Sequence, residues 1–77
     1  MARIFVRMRK DAEAVADVMT DLHGFQPTIF RDGNGYVVQH NDLSQEAVER
    51  ALFDRGLPHL LDQGAVRRIL WEKSMGG

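Results

Sequence analysis

"AVRRILW", residues 65–71, decides the fold of this 77-residue chain. Taken as an extended segment it is a closing strand, although Val66, Ile69 and Leu70 also fit helical spacing. The strand reading makes the order of elements β-α-β-β-α-β, an α+β domain with two helices on one face of a four-stranded antiparallel sheet.

The elements before this stretch are marked by spacing and capping. From Ala2 to Arg9 the chain alternates, with Ala2, Ile4, Val6 and Met8 on one face and Arg3, Phe5, Arg7 and Arg9 on the other, which predicts a half-buried strand. Asp11 offers an N-cap, and Asp11 and Glu13 suit the positive end of a helix dipole. Val15, Val18, Met19 and Leu22 recur at helical spacing up to Gly24, placed as a C′ glycine, so a helix is expected over residues 12–23. "FQPTIFR" and "YVVQH" flank "DGNG" and predict a hairpin, since Asp-Gly and Asn-Gly supply the positive φ of tight turns. Ser44 is a good N-cap, with Leu43 set to pack on Val48. Ala47, Val48, Ala51 and Leu52 form an apolar stripe that ends at Gly56. "LPHLLDQG" reads as a connector with a helical turn. This order resembles the ferredoxin-like split βαβ sandwich. One domain over residues 1–73 is expected, with a flexible tail at 74–77.

Composition narrows the chemistry. A chain this short forms one core and has no room for a deep enzyme cleft beside it. With 44% hydrophobic and 27% charged residues it has the make-up of an ordinary globular protein. It has no cysteine, which excludes disulfides, thiolate metal sites and cysteine nucleophiles. No apolar run has the length of a signal h-region or a membrane span, so a cytoplasmic location with no membrane partner is expected.

The motifs argue against catalysis. "DGNG" runs into a strand, whereas a phosphate loop needs its glycines at a helix N-terminus. A calcium loop fails because Tyr36 stands where a third oxygen ligand belongs. His23, His40 and His59 lie far apart in sequence, with no two of them paired at the i,i+3 or i,i+4 spacing of a helical metal site. His23 suits the C-terminal end of the first helix dipole. His40 and Asp42 form an H-x-D pair in which a carboxylate could orient an imidazole, but no nucleophile stands beside them. A non-catalytic protein with no cofactor or metal is therefore expected.

"RIFVRMR" resembles the first-strand motif of RNA-recognition-motif domains at Ile4, Phe5 and Val6. "DGNGYVVQ" matches that family's third-strand motif at Gly33, Gly35, Tyr36 and Val37. Asp32, Asn34 and Gln39 depart from it. The resemblance implies a single-stranded nucleic-acid platform of Phe5 and Tyr36 among Arg3, Arg7 and Arg9. In the opposite phase, Tyr36 and Val38 face the core together and Phe5 stands alone. The closing Gly76-Gly77 resembles the tail of ubiquitin-like modifiers and sulfur carriers, but that fold starts with a hairpin and this chain starts strand-to-helix.

The formal net charge of −1 hides a division. Asp11, Glu13, Asp17 and Asp21 give the first helix an acidic face, and Glu46, Glu49 and Asp54 add to it from the second. Arg3, Arg7 and Arg9 surround Phe5 on the first strand. Such a dipolar domain suits docking on a charged partner. The expected function is that of a small binding module that occupies a partner's surface through Asp11, Glu13, Asp17 and Asp21 or through Arg3, Phe5, Arg7 and Arg9. In size and in its lack of cysteine and active-site motif the chain is similar to phage-encoded inhibitors of the anti-CRISPR type. That resemblance implies a host ribonucleoprotein partner. Pairing of two copies through their open sheet faces is the third expectation.

Overall fold

The computed structural model describes residues 1–76. The elements are β1 (Ala2–Val6), α1 (Arg9–His23), β2 (Thr28–Asp32), β3 (Gly35–His40), α2 (Gln45–Asp54), a 3-10 turn (Pro58–Leu60) and α3 (Gln63–Met75). The strands form one antiparallel sheet in the order β1-β3-β2. Gly77, half of the Gly-Gly pair and the end of the expected tail, lies outside the described residues.

The four-stranded, two-helix sandwich is therefore corrected to a three-stranded sheet with three helices, because residues 65–71 are helical. Three forces act at this segment. The Asp62 carboxylate accepts the Ala65 N–H at 2.7 Å and supplies the helix N-cap. Ala65 and Ile69, four residues apart, are both buried on the inner side. Arg68 Nη2 reaches Glu49 Oε1 on α2 at 2.6 Å. A strand would have put Arg67 on the same face as Ala65 and Ile69, burying a guanidinium with the apolar residues. Replacing Asp62 with Ala is expected to cost about 1 kcal/mol in a denaturant melt. An unchanged midpoint would contradict a helix capped at Asp62.

The local signals elsewhere work by identifiable contacts. α1 begins at Arg9, with Met8 in the N-cap position and no side-chain cap, so Asp11 lies in the first turn instead of capping the helix. Gly24, at φ 89°, ends α1 in the left-handed conformation with its N–H bonded to Thr20 O. The Ser44 hydroxyl accepts the Ala47 N–H at 3.1 Å and starts α2. Gly33, at φ 60°, is the first of two turn residues between the paired Asp32 and Gly35, and no non-glycine residue has positive φ. This is the pattern of a type II′ hairpin.

Alternation then sets the layers. Ala2, Ile4, Val6 and Val38 pack with Ala12, Val15, Val18 and Met19 of α1 and with Val48 and Leu52 of α2. Tyr36, half-buried, and His40, buried, share the helix side of β3 with Val38. α3 adds Ala65 and Ile69 beyond α2 and is tied to it by Glu49–Arg68, Arg50–Glu72 and Lys73–Asp54. The Glu49 hydrogen bond is the main cause that raises the Arg68 pKa above its ordinary value.

Candidate functional site

The other face of the sheet carries no helix. Phe5 of β1 stands opposite Val37 of β3, and Phe30 of β2 stands opposite the same Val37, so one apolar row crosses all three strands. Phe5 is 51% exposed and Phe30 38%, whereas Val37 between them is only 4% exposed. Val37 lies outside the main core cluster, so what shields it on this side is its cross-strand neighbours. A second row, Arg3, Gln39 and Thr28, runs beside the first, and Gly35 and Asp32 begin a third.

Gly35 positions Phe5. A Cβ at Gly35 would lie 2.6 Å from Phe5 Cζ and 2.5 Å from the Val6 carbonyl oxygen, so the ring lies over the glycine backbone. Beyond Phe5 an open groove of about 590 Å³ passes Arg7, Met8 and Asp11 to His59, Leu60, Leu61 and Asp62. The apolar row thus continues into a recess between the end of β1 and the 3-10 turn. Met8 forms part of its wall and is itself 52% exposed.

The structure divides the residues expected to bind a partner. Arg3, Phe5 and Arg7 lie on β1 or just past it, and the side chains of Arg3 and Arg7 make no ion pair among the described residues. Arg9 belongs to α1 and pairs with Glu13 at 3.6 Å. On the acidic face, Asp21 pairs with Arg55 at 2.7 Å, which leaves Asp17 exposed and without an ion pair among the described residues, and Asp11 at the groove. Tyr36 lies on the helix side beneath the Arg31 guanidinium, 5.3 Å from ring centroid to carbon, so it cannot join Phe5 in one stacking platform. Phe30 is the aromatic that does share the face with Phe5. The sequence signal for it is the two-residue turn: counting back from Asp32 opposite Gly35 pairs Phe30 with Val37.

The histidines are arranged differently from the H-x-D expectation. Nδ1 of the buried His40 accepts the backbone N–H of Asp42 at 3.1 Å, so the main chain and not the carboxylate orients the ring. Nε2 of His40 is buried without a hydrogen-bond partner, and the His23 ring meets the His40 ring edge-on at 4.8 Å. Among the described residues no group of three or more His, Asp or Glu side chains is placed to hold a metal ion. No described helix is long and apolar enough to cross a membrane.

Comparison with protein-family models, with curated proteins and with solved structures gives no match to this chain.

Proposed function

We propose that this protein is a non-catalytic binding module that docks the open face of its sheet on a protein partner. The observation that supports this most is the uncovered row Phe5–Val37–Phe30, an aromatic pair around a dry aliphatic centre across three paired strands. Exposed aromatics around a desolvated centre have the composition of an interface anchor. Arg3 and Arg7 at its margin, which make no ion pair among the described residues, favour a partner surface that combines apolar and acidic side chains.

Single-stranded nucleic acid fits the same face less well. With Tyr36 on the other side and Asp32 on the face itself, few cations remain to neutralise phosphates. The narrower reading, a cytoplasmic phage-encoded inhibitor that covers a host CRISPR ribonucleoprotein, rests on the chain's small size and its lack of cysteine. The acidic side of α1 is the weaker candidate surface for it, since Glu13 and Asp21 are already ion-paired.

The test is selection of short peptides from a random library on the immobilised chain, with fluorescence anisotropy of single-stranded RNA and DNA alongside. Selected peptides are expected to carry acidic residues next to apolar ones. Nucleic-acid binding that is tight at low salt and falls steeply with added salt, with no peptide selected, would overturn the protein-docking reading.

A further inference from the structure

The two edges of the sheet are treated differently. At β1, the Gln45 side chain closes the edge: its Oε1 accepts the Arg3 N–H at 2.7 Å and its Nε2 donates to Arg3 O at 3.0 Å. A carboxamide there imitates a fourth strand. At β2 every residue from Thr28 to Asp32 is exposed, and no side-chain hydrogen bond among the described residues reaches its backbone.

The same Gln45 contact fixes which backbone groups are free. Because Arg3 points its N–H and C=O outward, Ala2, Ile4 and Val6 bond to His40, Val38 and Tyr36 on β3. Gly35, Val37 and Gln39 then turn toward β2 and bond to Asp32, Phe30 and Thr28. Ile29 and Arg31 are left with N–H and C=O groups directed away from the sheet.

We infer that β2 pairs with β2 of a second copy of this chain, antiparallel and centred on Phe30, to give a continuous six-stranded sheet. In this register Ile29 exchanges both backbone hydrogen bonds with Arg31 of the second copy, and the two-fold axis repeats the exchange. The two Phe30 rings meet as a non-hydrogen-bonded pair, the closer of the two pair types. Thr28 stands opposite Asp32 of the second copy, so its hydroxyl can donate to that carboxylate. No like charges stand directly opposite each other, and Arg31 is drawn back over its own Tyr36. Pro27, which has no N–H, ends the ladder. α1 and α2 pack chiefly over β1 and β3, and an open groove lined by Glu13, Ala16, Asp17 and Thr20 lies between α1 and Ile29 of β2. This pairing is independent of the proposed docking function, and it joins the two apolar rows into one.

The absence of cysteine provides a clean test by single introduced thiols. Phe30→Cys places two thiols across the axis with Cα atoms about 4.5 Å apart, within disulfide reach. Thr28→Cys places them about 14 Å apart, out of reach. Under mild oxidation, with each variant shown to be folded by circular dichroism, Phe30→Cys is expected to form covalent dimer about tenfold faster than Thr28→Cys. The mixture of Thr28→Cys with Asp32→Cys should cross-link where neither does alone. Equal rates for Phe30→Cys and Thr28→Cys would overturn the pairing, as would an absence of cross-linked Phe30→Cys at the highest concentration reached.

Discussion

Gly35→Ala is expected to be the most destabilising single-methyl change in the sheet. Its Cβ would approach the Val6 carbonyl oxygen to 2.5 Å and Phe5 Cζ to 2.6 Å, and the first of these is backbone that moves only if β1 shifts on β3. Overpacking of this kind costs roughly 1–3 kcal/mol, and the backbone clash places this case near the top, at about 3 kcal/mol. A core of this size supplies only roughly 3–5 kcal/mol in total. The thermal midpoint should therefore fall by about 12–24 °C. The double variant Gly35→Ala with Phe5→Ala should recover part of the loss, because it removes the ring contact and leaves the carbonyl contact. A thermal melt of the four proteins reads the coupling directly. Additive losses with no recovery would show that the Phe5 ring does not lie over Gly35.

The second large effect is on binding. Phe5→Ala with Phe30→Ala removes both exposed rings of the apolar row. Both rings are about half covered and together they shield Val37, so the folded state should lose roughly 1–3 kcal/mol in all. Interface anchors of this type carry about 2 kcal/mol each, so affinity for a selected acidic-apolar peptide should drop by about 1,000-fold. The comparison is made by titrating the same peptide against both proteins, with melts to show that the variant is folded. Arg3→Glu with Arg7→Glu should act differently, slowing association and weakening its salt dependence. Wild-type affinity in the double phenylalanine variant would remove the sheet face from the interface.

Local rules carried much of this architecture. The alternation of β1, the Gly24 stop, the Ser44 cap and the glycine turn at 33 each depend on contacts within a few residues, and each forms as its residues suggest. Residues 65–71 were illegible for a different reason. Their helical state rests on a cap three residues upstream, at Asp62, and on Glu49 of α2, which receives Arg68 across 19 positions. The site was half legible. Phe5 and Arg3 of β1, with Arg7 just past it, stood out by alternation, and the phase that turns Tyr36 and Val38 inward was one of two the sequence of β3 allowed; its register with β1, a long-range pairing, decides between them. That register sends Tyr36 to the helices and leaves Phe30 as the partner of Phe5. The His23–His40 contact was hidden in the same way, since 17 positions separate residues that the sheet end and the α1 terminus bring together.

The docking account is tested most directly by backbone amide chemical-shift mapping on the isotope-labelled chain during titration with the tightest selected peptide. The expected result is a set of perturbed amides centred on Phe5, Val37 and Phe30 and extending through Arg3 and Arg7 into the groove at Leu60 and Leu61. Perturbations confined to the acidic side of α1, or to the exposed Leu70, Trp71 and Met75 of α3, would contradict it.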